Sequence, residues 1–159
     1  MTARKLCGDQ RALAWRATAW VLACAASTAL HAADSVTRGD LQWSLRTNGE
    51  YLPWPTAERH CADLTQDGHA DWRLPTLPEL EALHDPDAPD GQGIVAPIAL
   101  DTCCLWSQTT LIDLPADGDS PTGGDPADYR WGFLFDSGIR YYSHGSISDG
   151  RALCVRDVD

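Results

Sequence analysis

The sequence predicts an α+β domain behind an N-terminal leader. Three observations carry that reading: two helix-start signals in the first half, apolar and aromatic strand candidates at both ends, and two long acidic connections rich in Pro and Gly. The 159 residues open with Arg4, Lys5, Arg11 and Arg16, an uncharged run from Ala17 to Leu30, and the small residues Ala32 and Ala33. That order is the order of a secretory signal peptide. The run is shorter than the ~20 residues a helix needs to cross a bilayer, and no basic stop-transfer cluster follows it. Residues 1–32 therefore read as a signal peptide and 33–159 as one domain, with no transmembrane span in the mature chain. Export to the periplasm or the medium follows. The alternative is a lipid anchor at Cys24, which follows Val21-Leu22-Ala23 and loosely resembles a lipoprotein processing site.

Cutting after Ala32 leaves 127 residues carrying eight basic and 22 acidic side chains, a formal charge of -14. Every remaining base is arginine, because Lys5 is the only lysine. So acidic a surface repels phosphate backbones, which excludes DNA and RNA as partners. A chain this long forms one domain burying about two-thirds of its unfolded surface. Removing the leader removes Cys7 and Cys24 and leaves Cys61, Cys103, Cys104 and Cys154, an even count in a compartment where thiols oxidise. Four cysteines allow three connectivities. A bond across the adjacent pair Cys103/Cys104 is strained, since neighbours cannot easily reach the usual Cα separation.

From Leu41 to Leu52 the residues LQWSLRTNGEYL alternate apolar and polar around Asn48-Gly49, which predicts a hairpin with a tight turn. In AERHCADLTQDG, Ala57, Cys61 and Leu64 recur at helical spacing, with Thr56 as N-cap and Gly68 closing the helix. A short extended segment, ADWRLP, leads to Thr76 with Glu79 three positions on, the capping-box arrangement, and Leu77, Leu80 and Leu83 stripe a second helix ending near His84. Residues 85–100 carry too many Pro, Gly and Asp for regular structure. CLWSQTTLI, from Cys104 to Ile112, reads as a strand, and residues 113–128 as an exposed, mobile acidic loop. The tail offers three strands, YRWGFLFD, IRYYSH and RALCVRD, expected to close the domain as an antiparallel meander.

Six ordered blocks now carry a resemblance: LQW near the start, the cysteine of the first helix, DWRLPT from Asp71 to Thr76, Glu79-Leu80, LWSQT, and CVR at Cys154 to Arg156. Spanning nearly all of the mature chain, they resemble the C-terminal domain of Legionella collagen-like protein. The resemblance implies a C-type-lectin-like fold, with two helices beside a small antiparallel sheet and long irregular loops. It also implies a disulfide between Cys61 and Cys154. Such a bond closes a loop of roughly 90 residues, for which chain entropy suggests about 4 kcal/mol. The family's namesake adheres to sulfated polysaccharides, a ligand that a charge of -14 repels.

For DWRLPT the structural reading accounts for each residue type. Trp72 and Leu74 point inward, Pro75 stops the strand, Thr76 caps the next helix with Glu79, and Arg73 locks a neighbouring turn, leaving Asp71 beside them. Tyr141-Tyr142, with His144 two residues on, form a candidate aromatic platform for a glycan or protein. Alternation on a strand buries one tyrosine and exposes the other. Asp85, Asp87 and Asp90 in one loop and Asp117, Asp119 and Asp125 in the other have the chemistry of calcium ligands, but neither loop matches the twelve-residue calcium pattern, and solvated turns account for them. No cofactor is expected. Neither is catalysis: His60 and Cys61 face different ways on a helix, and Cys61 is expected to be oxidised. Zinc at Cys103/Cys104 is disfavoured because adjacent thiolates rarely satisfy tetrahedral geometry. A vicinal or an intermolecular disulfide remains for this pair, the latter giving a covalent dimer. The function expected is a secreted or periplasmic, non-catalytic binding module for a protein or glycan, with a structural or assembly component of the envelope, linked through Cys103 or Cys104, as the alternative.

Overall fold

The structure, a computed structural model, describes residues 33–116 and 124–158. The leader with Cys24, and the calcium candidates Asp117 and Asp119, lie outside the described residues. In chain order the elements are β1 (Ser35–Arg38), β2 (Leu41–Ser44), α1 (Trp54–Ala62), α2 (Leu77–Glu81), β3 (Cys104–Thr110), a 3-10 turn (Pro126–Asp128), β4 (Tyr129–Leu134), β5 (Ile139–His144) and β6 (Val155–Asp157). They form two antiparallel three-stranded sheets, β1-β2-β6 and β3-β4-β5, which with the two helices make an α+β fold.

The opening hairpin differs from the one the sequence predicts. Its arms are β1 and β2, turning at Gly39-Asp40, where Gly39 takes a φ of 58°. Asn48-Gly49 belongs instead to an irregular crossing segment, because the Asn48 side chain and backbone N–H are taken by the final segment of the chain: Ala152 N–H donates to Asn48 Oδ1 at 2.7 Å and Asn48 N–H donates to the Ala152 carbonyl at 3.0 Å. Helix α1 starts at Trp54, ahead of Thr56, because Pro55 has its φ preset for the first turn and lacks only an N–H that the helix start leaves unpaired. It ends at Ala62, and Gly68, with a φ of 82°, closes a separate turn at Gln66–His69. Helix α2 begins with a complete capping box at Thr76 and Glu79.

The three tail strands do not form one meander. β4 and β5 pair in sequence behind β3, whereas the chain after Gly150 runs first alongside β3, exchanging backbone hydrogen bonds between Arg151 and the Cys104–Trp106 stretch, and then joins β2 as β6. That crossing segment stitches the two sheets together. The main core fills the space under them with Trp43, Leu77, Leu80, Leu105, Phe133, Phe135, Leu153 and Val155. A second cluster, Ala57, Cys61, Trp72, Leu74, Trp106, Ala152 and Cys154, packs α1 against the same crossing segment. Within it Cys61 and Cys154 are bonded, with Cα atoms 5.4 Å apart.

Candidate functional site

The DWRLPT segment is tied to the frame from both ends. Trp72 and Leu74 are buried, and Arg73 exchanges backbone hydrogen bonds with Val155 at 2.8 and 2.9 Å. The Arg73 guanidinium forks onto Glu79, with both contacts at 2.8 Å, and reaches Asp157 at 3.2 Å. Glu79 also accepts from Thr76 N–H at 2.7 Å. Burial pushes the Glu79 carboxyl up, but the Arg73 and Thr76 donors outweigh it and hold the group below its ordinary range. Asp71 receives Arg156 Nε at 2.8 Å, a hydrogen bond that lowers its carboxyl as well. Arg73, Thr76 and Glu79 thus bond to one another within the fold, and one oxygen of the exposed Asp71 carboxylate is held by Arg156.

The tyrosine platform has a different geometry from the one strand alternation predicts. Neither Tyr141 nor Tyr142 is fully exposed: both are half-buried, one on each face of β5. Tyr141 lies against Trp106, with ring centroids 6.1 Å apart, over Gly132, and donates its hydroxyl to the Asp149 carbonyl at 3.1 Å. Burial raises its phenol well above the ordinary tyrosine range. Tyr142 stands edge-on between Tyr129 and Trp131, at centroid distances of 6.1 and 5.5 Å. Each ring is partly covered by the aromatic neighbours on its own face, Trp106 for Tyr141 and Tyr129 with Trp131 for Tyr142. His144 sits beyond them, Nδ1 2.8 Å from Ser146 Oγ and its ring edge-on to Tyr129 at 5.4 Å.

What the sequence reading missed are the residues that complete a depression beside these rings. Pro115 and Ala116 arrive from the acidic connection, Trp131 from β4 and Arg140 from β5, and with Tyr141 and Tyr142 they line an open cavity of about 440 Å³. Trp131 is fixed by its indole N–H, which donates to the Leu114 carbonyl at 2.7 Å, and that bond also anchors the start of the acidic connection. Arg140 pairs with Glu81 of α2. The one sequence signal for this cavity was the aromatic pair; Pro115 and Ala116 carry no pattern that marks them.

Three of the described acidic candidates, Asp85, Asp90 and Asp125, bond within their own loops. Asp85 Oδ1 accepts from Asp87 N–H at 3.1 Å and Asp90 Oδ1 from Gln92 N–H at 3.0 Å, local turns of the kind Asp favours. Asp125 Oδ1 caps the 3-10 turn through Ala127 N–H at 2.9 Å. Among the described residues no group of three or more His, Cys, Asp or Glu side chains could hold a metal ion, and no helix is long and apolar enough to cross a membrane. Cys103 and Cys104 are bonded to each other, so in this state neither sulfur is free to join a second chain.

A small α+β fold, a buried disulfide, an arginine–carboxylate motif after the first helix and an open depression with aromatic lining define a class of disulfide-stapled domain. The chain belongs to the Lcl C-terminal domain family, whose family model matches residues 9–156, from within the leader read from the sequence to the last strand. None of the curated proteins compared with it matches. The family is one of unspecified function.

Proposed function

We propose that the mature domain is an exported, non-catalytic binding module of C-type-lectin-like fold that recognises a protein or a glycan on the β4–β5 face. The observation that carries this reading is the open cavity lined by Trp131, Arg140, Tyr141 and Tyr142 with Pro115 and Ala116, in which the Tyr142 ring stands against Trp131 while the Tyr141 ring lies on the other face of β5 against Trp106. Aromatic rings with one polar edge and an arginine are the residue types that dominate recognition surfaces, and here their orientations are set by hydrogen bonds and ring contacts before any ligand arrives. The two buried clusters and the Cys61–Cys154 bond supply the rigid frame beneath. With cleavage after Ala32, the charge of -14 directs the surface away from sulfated and phosphorylated polymers.

The test is retention of the mature protein on a glycan array and on heparin, with and without calcium. The expected result is binding to a non-sulfated glycan, unchanged by chelation and weakened at least several-fold in Arg140→Ala. Binding to heparin alone would contradict the electrostatic argument. A ligand retained at full strength by Arg140→Ala would move the site away from this face.

A further inference from the structure

The two disulfides lie in opposite surroundings. Cys61 and Cys154 are 0% and 2% exposed, walled in by Trp72, Leu74 and Trp106. Cys103 and Cys104 are half-exposed at the mouth of β3, where the long loop from α2 arrives. Exchange requires a thiolate to approach a disulfide sulfur directly, so access alone separates the two bonds. Their roles in the fold differ too. Opening Cys61–Cys154 frees a connection spanning 93 residues, whereas opening Cys103–Cys104 frees only a ring closed across one peptide bond. The backbone around the adjacent pair is held without it: Phe135 N–H donates to the Cys103 carbonyl at 2.8 Å, and Arg151 N–H to the Cys104 carbonyl at 3.0 Å.

The surroundings also distinguish the two sulfurs of the pair. Tyr51 Oη lies 3.9 Å from Cys103 Sγ. Thr102 Oγ1 donates to that phenol oxygen at 2.8 Å, which leaves the phenol proton free to point at the sulfur. The Arg151 guanidinium, ion-paired with Asp101, stands 5.0 Å from the centre of the Tyr51 ring. A hydrogen-bond donor beside Cys103 stabilises a thiolate that departs there.

We propose that Cys103–Cys104 is a thiol-exchange site for a dithiol reductant, with the Cys104 sulfur attacked and the Cys103 sulfur, hydrogen-bonded by Tyr51, as the leaving group. In the first step a reductant thiolate bonds to Cys104 Sγ, the Sγ–Sγ bond breaks, and its electron pair departs on Cys103 Sγ. In the second step the other thiol of the reductant, having lost its proton, attacks its own sulfur in the mixed disulfide and releases Cys104 as a thiolate. The reductant leaves as a disulfide, oxidised by two electrons, and its two protons end on Cys103 and Cys104. Run backwards, the same steps oxidise an incoming dithiol. The site stands independently of any ligand at the β4–β5 face.

The experiment treats the folded, processed protein with graded dithiothreitol, quenches with iodoacetamide and locates the alkylated cysteines by mass spectrometry. Cys103 and Cys104 are expected to label at roughly tenfold lower dithiothreitol than Cys61 and Cys154, with the circular dichroism spectrum unchanged at that point. In Tyr51→Phe the opening of Cys103–Cys104 is expected to slow several-fold while the threshold for Cys61–Cys154 stays where it was, a selectivity that a general loosening of the fold does not give. Labelling of both pairs together, or of Cys61 and Cys154 first, overturns the site. An unchanged rate in Tyr51→Phe overturns the choice of leaving group.

Discussion

Glu79 gathers the donors of two neighbours onto one carboxylate: both guanidinium arms of Arg73 and the N–H of Thr76. Replacing it with glutamine removes the charge and turns one of the two accepting oxygens into an amide nitrogen that cannot accept, so the two-pronged contact with Arg73 is broken. Hydrogen bonds to charged groups contribute about 1.5–3 kcal/mol. Glu79→Gln is predicted to lose stability in that range at pH 7, read from urea midpoints. Because the folded-state carboxyl is held below its ordinary value of 4.5, its contribution is fully present above that pH and fades as the pH falls through the lower, folded value. The wild-type melting temperature is accordingly predicted to fall more steeply below about pH 4.5 than that of Glu79→Gln, with thermal scans from pH 6 to pH 3 as the check. Equal slopes would show that this carboxylate is not a contributor to the acid limb. Asp71 follows the same direction, but its carboxyl is exposed and its weight is small.

At the scale of elements, α2 shows how little helix the sequence has to specify when its ends are fixed. Five residues form no stable helix alone. This one is held by its capping box, by Leu77 N–H donating to Thr109 Oγ1 at 2.9 Å, and by the burial of Leu77 and Leu80. Thr76→Ala is predicted to cost about 1 kcal/mol, measured by the same denaturation. The loop that follows is pinned more harshly. Gly93 has a φ of 70°, and a Cβ there would sit 1.9 Å from the Phe135 carbonyl oxygen, a backbone atom that cannot step aside. Gly93→Ala is predicted to destabilise by more than about 3 kcal/mol, since strain and a buried clash combine, and to show as a melting temperature several degrees lower or as failure to fold. The contrast explains what was legible. A capping box is a local device, written in Thr76 and Glu79, and the aromatic, β-branched runs of β3, β4 and β5 announce themselves in the same way. β1 has one large apolar residue in SVTR and becomes a strand only because β2 pairs with it. Asn48-Gly49 reads as a hairpin turn until Ala152, far along the chain, takes the Asn48 side chain. The closing strand is legible in RALCVRD, but its pairing with β2 depends on where the chain crosses after Gly150. The aromatic pair Tyr141-Tyr142 marked the cavity, whereas the depth of each ring depends on Gly132, Trp106 and Trp131 from other elements.

Across the described domain the two sheets have no strand in common, and their union depends on the crossing segment from Arg151 to Cys154. It bonds to β3 on one side through Arg151 and to β2 on the other, where Ser44 N–H donates to the Cys154 carbonyl at 2.9 Å and Cys154 N–H donates to Ser44 Oγ at 3.0 Å. The Cys61–Cys154 bond fastens α1 to the same segment, so one covalent link holds together the helix, both sheets and the second buried cluster. Two effects then add. Removing the link restores to the unfolded chain the freedom of a connection 93 residues long, and it leaves two side chains unjoined in a cluster with no room to rearrange around Trp72 and Trp106. The chain-entropy model sets the first at about 4 kcal/mol, and mutation of native disulfides in small exported domains costs about 2–5 kcal/mol. A domain whose whole stability is about 5–15 kcal/mol has little margin for that. Cys61→Ala/Cys154→Ala is therefore predicted to unfold at a markedly lower urea concentration than the wild type and to lose much of its near-ultraviolet signal, because Trp72 and Trp106 line the vacated site. Cys103→Ala/Cys104→Ala, which opens no long connection, is predicted to shift the midpoint by less than half as much. The pair of denaturation curves, collected without reductant, decides it: equal shifts for the two double variants would mean that the buried bond is not what unites the sheets.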